Sequence, residues 1–286
     1  MVTPSLAVSG EISVEEDYGI PVEEDCGIEI EVDDRSDYDI DEDREELSVL
    51  PKQDETADET NTTGKVDGYN YNIIHLDCGR KYFSVDSIKQ IIDNASAAGF
   101  NYIQLAVGND GMRFLLDDMS LTVNGTTYTS KEVSDAIHAG NEAYYNFDID
   151  ELTQSQMDTI IAYAYTKGMG VIPLINTPGH MDAILDAAET LDNVSEGTYA
   201  YGGSARTIKV TESAVVNFTE AFLNKYIAYF AGKGCTLFNM GADEYANDIY
   251  LNYPGMGFGK LQDTDQYGYF IAYVNKIAGN IKKAGM

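Results

Sequence analysis

Two adjacent carboxylates, Asp243 and Glu244, have the clearest potential for chemistry in this sequence. They follow the apolar run 236–240, which predicts a buried strand. Burying an unpaired charge is costly, so acids are unexpected at the end of a core strand. The carboxyl end of a strand in a parallel barrel is nevertheless where catalytic groups lie. Because neighbouring carboxylates push their pKa values apart, the pair predicts acid–base chemistry. The alternative is a helix N-terminus, where acids favour the dipole.

Four predicted strand–helix units position this pair. The predicted strands are 73–77, 102–107, 171–176 and 236–240, and amphipathic helices begin at Ser84, at the capping box Thr153-x-x-Gln156, at Thr211 and before Phe270. The connection 108–152 is long, and Asn124-Gly125 within it predicts a hairpin over residues 122–128. Residues 196–206, which are rich in Gly and Tyr, are expected to form a loop.

The alternation of strands and helices predicts an α/β fold with a parallel sheet. A (β/α)8 TIM barrel contains eight such units, and this pattern supplies about the first four. We therefore expect residues 68–286 to form the N-terminal half of a barrel domain. The open edges of half a barrel favour association, so we expect the chain alone to dimerise or aggregate and to show little turnover.

The composition is strongly acidic and excludes several partners. The net charge is -30, and residues 1–67 hold 23 acidic against 4 basic side chains. Such a segment buries too little apolar surface to fold, so we expect it to be disordered. Nucleic acid is excluded because its phosphates need Lys and Arg. Membrane insertion is excluded because no apolar run approaches the roughly 20 residues of a membrane helix. Three cysteines without CxxC and three histidines without HExxH predict no disulfide framework and no zinc site.

Four segments together resemble a known family. They are Leu-Asp-Cys-Gly-Arg-Lys-Tyr at 76–82, Val-Gly-Asn-Asp-Gly-Met-Arg-Phe at 107–114, Ile-Asn-Thr-Pro-Gly-His-Met-Asp-Ala at 175–183 and Phe-Asn-Met-Gly-Ala-Asp-Glu-Tyr-Ala-Asn-Asp at 238–248. Their types and order are similar to those of the family 20 glycoside hydrolases, the β-N-acetylhexosaminidases, and in particular to the catalytic modules of streptococcal-type surface hexosaminidases. The similarity covers roughly residues 71–283. Four motifs in the family order are far more specific than one Asp-Glu pair.

The resemblance implies a retaining reaction in which the substrate's own 2-acetamido group is the nucleophile. It implies that Glu244 is the general acid and then the general base. Asp243 would orient the acetamido N–H. No metal or cofactor is required.

The resemblance also implies three substrate-binding residues. Arg80 matches the family arginine that holds the 3- and 4-hydroxyls of the sugar, for which a guanidinium fork is well suited. His180 matches a histidine that hydrogen-bonds the acid/base. Either Asn109 or Asp110 matches the family acid on the second strand, and Asp110 is favoured. Asp182 is interpreted as a helix-start residue.

The activity implied is exo-hydrolysis of terminal β-linked N-acetylglucosamine from glycans, with N-acetylgalactosamine as a second sugar. One alternative is a lacto-N-biosidase, which shares the acid pair but releases a disaccharide. A third is a fragment that only binds sugar, since the chain has no Trp to line an acetamido pocket. The family implies a secreted or cell-surface bacterial protein, although the sequence shows no intact signal peptide.

Overall fold

The computed structural model describes residues 71–145, 150–192, 194, 197–201, 204–242, 245 and 266–286. The predicted disordered segment 1–67 and the acid pair Asp243–Glu244 lie outside these residues. Within them the α/β class is confirmed, because a parallel sheet is covered by helices. No helix of the described part is long and apolar enough to cross a membrane.

Nine strands and six helices make up the described part. In chain order they are β1 Ile73–Asp77, α1 Val85–Ala97, β2 Tyr102–Asn109, β3 Gly111–Met112, β4 Leu121–Val123, β5 Thr126–Tyr128, α2 Ser130–Tyr145, α3 Gln154–Thr166, β6 Gly170–Thr177, α4 Asp182–Asp192, β7 Thr198–Tyr201, β8 Ser204–Ile208, α5 Ser213–Gly232, β9 Asn239–Gly241 and α6 Tyr267–Lys283.

The main sheet has the order β1-β2-β6-β9, with all four strands parallel. β3 adds a short antiparallel return on β2. Strands that follow each other along the chain are therefore neighbours in the sheet, without the reversal of order that marks a doubly wound sheet. Their carboxyl ends all meet at the same edge.

The helix side of the sheet is apolar, whereas the other side is mixed, since Ala106, Ile172 and Leu174 are buried there beside polar residues. Ile103, Leu105 and Val107 of β2 are fully buried in one core cluster with the helices. Gln104 lies between them and points to the other face, since side chains alternate along a strand. On that face Gln104 Nε2 lies 2.8 Å from His75 Nδ1, and Asn239 Nδ2 donates to Gln104 Oε1 at 3.0 Å. The core thus lies on the helix side of the sheet.

The predicted helix starts follow from local hydrogen bonds. Ser84 caps α1 by accepting from Ser87 N, and Thr153 with Gln156 forms the complete capping box of α3. These helices and the hairpin β4–β5 are confirmed. The predicted start at Thr211 was wrong, because α5 begins at Ser213 and its N-cap residue makes no side-chain capping bond.

Three further predictions are corrected by the structure. The connection 108–152 contains a 16-residue helix, α2, which Thr129 and Glu132 begin with reciprocal hydrogen bonds. The stretch 196–206 is largely the antiparallel hairpin β7–β8 rather than a loop. The fourth strand of the sheet is Asn239–Gly241 and is half-buried, not a buried run over 236–240. Among the described residues its partner is β6, with an irregularity between its two pairs, so few ladder bonds extend it.

Candidate active site

A pocket opens at the edge of the sheet where the parallel strands end. β1 ends at Asp77, β2 at Asn109, β6 at Thr177 and β9 at Gly241. The pocket volume is about 450 Å³, which is typical of a small-ligand site. Its lining is mostly polar and consists of His75, Asp77, Arg80, Asn109, Leu174, Asn176, His180, Asn239 and Gly241.

Arg80, Asp110 and His180 form what we call the charged cluster at this pocket. Arg80 Nε donates to Asp110 Oδ2 at 2.7 Å, and Arg80 Nη1 donates to Asp77 Oδ2 at 3.1 Å. His180 Nδ1 lies 2.8 Å from Asp110 Oδ1. The three residues follow β1, β2 and β6 respectively, so the cluster joins the segments after three neighbouring strands.

Asp110 is negatively charged although its side chain is only 5% exposed. Burial alone would raise its pKa, but hydrogen bonds from His180 and Arg80 outweigh burial and hold the pKa of Asp110 well below its usual value. An ionised carboxylate only accepts, so we assign the shared proton to His180 Nδ1. The 3.3 Å approach of Arg80 Nη2 to that nitrogen is then a contact between two donors. In a neutral imidazole with this tautomer, Nε2 is the nitrogen that accepts.

The backbone holds the charged cluster in place. Asp110 N donates to His180 O at 2.7 Å, and Ala183 N donates to Asp110 O at 2.9 Å. Asp110 and His180 both have left-handed backbone angles, with φ of 59° and 54°. Such angles cost non-glycine residues about 1 kcal/mol or more and persist where the surroundings fix them, often at functional sites.

Asn109 lies outside the charged cluster and belongs to a row of amides beside it. Asn109 Nδ2 donates to Asp77 Oδ2 at 3.0 Å, and Asn176 Nδ2 donates to Asn109 Oδ1 at 3.3 Å. The backbone is tightly packed here, because a Cβ on Gly79 would lie 2.6 Å from Asn109 N. Of the two candidates on the second strand, Asp110 is the one that contacts Arg80 and His180.

Comparisons with known proteins identify the family of the chain. Residues 69–285 match the family model of the glycosyl hydrolase family 20 catalytic domain. The chain belongs to glycosyl hydrolase family 20. It is 41% identical to a solved structure of the tandem catalytic modules of StrH, the pneumococcal exo-β-D-N-acetylglucosaminidase, with a TM-score of 0.70 over 76% of this chain and 52% of that chain.

Two more distant relatives were also found, one by sequence and one by fold. The β-hexosaminidase of Vibrio furnissii is 25% identical over 199 residues, which are 65% of this chain and 30% of that protein. The β-N-acetylhexosaminidase of Streptomyces coelicolor A3(2) is 21% identical and shares the fold with a TM-score of 0.54, over 76% of this chain and 38% of that chain. The chain thus spans about half the length of the StrH structure and less of the other two.

The residues on either side of the acid pair of this family 20 chain are firmly held. Ala242 N donates to Thr177 O at 3.1 Å. Tyr245 is 1% exposed, its Oη accepts from Val210 N at 3.3 Å, and its ring lies 5.1 Å from that of Phe270. Asp243 and Glu244 themselves lie outside the described residues. Of their chain neighbours, Ala242 contacts the end of β6 and Tyr245 contacts the start of α6.

Sequence reasoning missed several pocket residues. Asp77 and Asn176 stand inside the quoted motifs, and their signal was the position at or next to the last residue of a strand. Asn239 also stands inside a quoted motif but at the start of its strand, and His75 lies outside the motifs, so only the sheet register brings these two towards Gln104.

Two other charged residues of the motifs are buried and hydrogen-bonded away from the pocket. Asp182 begins α4, as predicted, and accepts from Arg206 Nε of β8 at 3.1 Å while fully buried. Arg113 is 4% exposed and donates to Gly79 O at 3.2 Å and to Asp150 O at 2.9 Å. Neither lines the pocket. Among the described residues, no group of three or more His, Cys, Asp and Glu side chains is placed to hold a metal ion.

Proposed function

We propose that this chain carries the catalytic acid pair of an exo-β-N-acetylhexosaminidase, which removes terminal β-linked N-acetylglucosamine from glycans. The observation that carries the proposal is the charged cluster of Arg80, Asp110 and His180 at the carboxyl edge of the sheet. Family membership and the acid pair that follows β9 support it. We infer that the four described strand–helix units belong to a (β/α)8 barrel, the fold that places catalytic groups at this edge.

Arg80 is proposed to bind sugar hydroxyls. Its side chain is 44% exposed at the pocket, while Asp77 and Asp110 each accept one of its N–H groups. Both carboxylates thereby fix the plane of the guanidinium before a ligand arrives. A preorganised fork of donors suits two neighbouring hydroxyls, because little side-chain entropy remains to be lost on binding.

His180 and Asp110 are proposed to support the general acid. With its proton on Nδ1 and directed at Asp110, the imidazole presents Nε2 as an acceptor. A carboxylic acid that donates to this nitrogen would be held in one orientation. We propose that this acid is Glu244, which follows the turn that Thr177 holds.

The proposed reaction is retaining and assisted by the substrate. Glu244 donates its proton to the glycosidic oxygen as the bond from that oxygen to the anomeric carbon breaks, and the acetamido carbonyl oxygen bonds to that carbon. Asp243 accepts a hydrogen bond from the acetamido N–H and offsets the positive charge of the oxazolinium ion. Glu244, now a carboxylate, then removes a proton from the water that attacks the same carbon, while the bond from that carbon to the acetamido oxygen breaks and restores the acetamido group.

The direct test is an assay of the full chain with three p-nitrophenyl glycosides. Release from the β-N-acetylglucosaminide supports the proposal, and release from the β-N-acetylgalactosaminide widens the specificity. Release from the β-lacto-N-bioside alone would replace it with a lacto-N-biosidase. Little turnover is what the open edges of half a barrel predict for this chain alone, and binding of N-acetylglucosamine without turnover of any substrate would leave a sugar-binding fragment and would overturn the proposal for this chain.

Substitutions of the acid pair separate the two carboxylate roles. We expect Glu244→Gln to lose at least about 100-fold in kcat on a substrate with a poor leaving group, since general acid catalysis contributes about that much. It should lose much less on an activated aryl glycoside, whose leaving group needs no proton. Asp243→Asn should be impaired on both substrates, because orientation of the acetamido group is lost. Equal losses in the two variants on the activated substrate would contradict the assignment.

A further inference from the structure

Asn176 carries a buried carbonyl that is not hydrogen-bonded. The residue lies near the carboxyl end of β6, is 5% exposed and lines the pocket. Its Oδ1 is fully buried and has no hydrogen-bond partner among the described residues. Buried polar atoms are nearly always paired, so this exception requires an explanation.

The orientation of this carbonyl follows from the neighbouring carboxylate. Asp77 pairs with Arg80 and accepts hydrogen bonds only, so Asn109 must direct its NH₂ group at Asp77. The carbonyl of Asn109 therefore faces Asn176, which must direct its own NH₂ group at Asn109. The carbonyl of Asn176 is thereby forced to the opposite side. Asp77 thus determines the orientation of both amides.

Gly241 lies on that opposite side. A Cβ on Gly241 would come within 1.8 Å of Asn176 Oδ1, so the carboxamide packs directly against the Gly241 Cα. Gly241 and Ala242 have φ of 72° and 62°, and two successive left-handed residues turn the chain sharply away from β9. Ala242 N donates to the carbonyl of Thr177, the residue after Asn176. The end of β6 therefore contacts this turn through both a side chain and the backbone.

We propose that Asn176 is a positioning residue for the acid pair, because its carboxamide determines where the Gly241–Ala242 turn lies. Glu244 is three residues beyond Gly241 and so within about 11 Å of it along the chain. A shift of the turn is thus carried directly to both carboxylates, and a misplacement of 1 Å can cost about 100-fold in rate. The expected loss of rate rests on the proposed function. The expected effect of Asn176 on the turn does not depend on that function.

The experiment compares Asn176→Leu and Asn176→Ala with Asn141→Ala. Asn141 is an equally buried asparagine, 5% exposed, that exchanges hydrogen bonds of 2.8 Å with Met112 N and O away from the pocket. Leu is close in shape to Asn but replaces the small carbonyl oxygen by a larger methyl group. The measurements are the melting temperature, kcat and KM on p-nitrophenyl β-N-acetylglucosaminide, and amide hydrogen exchange of the peptide that contains Ala242.

We expect both Asn176 variants to lose about 10- to 100-fold in kcat, to change KM by less than about 3-fold, and to speed exchange at Ala242 at least about 10-fold. Their melting temperatures should fall less than that of Asn141→Ala, which leaves two Met112 backbone groups unpaired but should keep its kcat and its Ala242 exchange rate. A wild-type kcat in Asn176→Leu, or unchanged exchange at Ala242, would overturn the inference. If the wild-type chain has no turnover, the proposed function fails, and the exchange measurement alone decides whether Asn176 holds the turn.

Discussion

The two faces of one parallel sheet differ in how many polar side chains they carry and in how exposed those side chains are. On the helix side, Ile103, Leu105 and Val107 of β2 are completely buried in a single apolar cluster. On the other side, Gln104 joins His75 and Asn239 in a row of hydrogen bonds, and all three are at least partly exposed. Within β2 itself, Gln104 stands between Ile103 and Leu105, so adjacent residues belong to opposite faces.

This difference shows how the fold separates stability from chemistry. Apolar burial on the helix side contributes most of the folding free energy and fixes the positions of the strands. The other side also buries Ala106, Ile172 and Leu174, but together with the carboxyl edge it carries the donors, acceptors and charges that line the pocket. Each strand contributes side chains to both faces. Truncating an apolar residue should therefore destabilise the protein much more than truncating the polar residue next to it.

The largest effect is expected for Leu105→Ala, compared with Gln104→Ala at the adjacent position. Removing a fully buried leucine should lower the free energy of unfolding by about 2–5 kcal/mol, since a cavity remains in the core. Gln104→Ala breaks two exposed or half-exposed hydrogen bonds and should cost about 1 kcal/mol. Urea unfolding at neutral pH measures both values. Equal losses of unfolding free energy in the two variants would contradict the difference in burial between Leu105 and Gln104.

A smaller effect that depends on pH is expected for Asp110→Asn. The folded state holds the pKa of Asp110 below its usual 3.8, so the carboxylate stabilises the protein fully above that pH. Its contribution is lost as the pH falls towards the lower folded pKa. The variant should therefore be less stable than wild type by about 2 kcal/mol at pH 6, and the difference should shrink between pH 4 and pH 2.

The control for this prediction is Asp135→Asn, on the surface of α2. The Asp135 side chain is 60% exposed, and its ion-pair partner in the described part of the chain is the exposed Lys131. Such pairs contribute little to stability. Thermal unfolding at several pH values provides the measurement. A difference for Asp110→Asn that is constant from pH 6 to pH 2 would show that the charge of Asp110 is not what stabilises the cluster.

The smallest effect is expected from treatment of the native protein with a thiol reagent. Cys78 follows Asp77 but is only 3% exposed and lies in the core. Burial, and to a lesser degree the charge of Asp77, raise the pKa of Cys78 to about 12, and burial raises the pKa of Cys235 as well. Neither thiol should then react at pH 8 in the native protein, since the thiolate is the nucleophile. In a Cys26→Ser variant, we expect a thiol reagent to modify no cysteine until guanidinium is added and two afterwards. Rapid modification of Cys78 in the native protein would show that its thiol is exposed to solvent and not buried in the core.

The sequence by itself determined the alternation of strands and helices and several of their ends. Ser84, Thr153 and Asn124-Gly125 act through bonds to residues within four positions, so their effect can be predicted without knowledge of the fold. The helix α2 was missed although Thr129 and Glu132 carry the same local signal. The sequence motifs also predicted Arg80, Asp110 and His180 as one site, but only by similarity to a family.

Only the tertiary structure decided how these residues are arranged. Asp110 and Asn109 are neighbours in sequence and similar in size, yet the left-handed turn at Asp110 directs one to His180 and the other to Asn176. The polar row of His75, Gln104 and Asn239 spans 164 positions of the sequence and exists because parallel pairing brings the strands into register. The contact of Asn176 with Gly241 has the same origin. Local propensity acts over a few residues, whereas the orientation of a side chain at the pocket depends on contacts between segments that are distant in sequence.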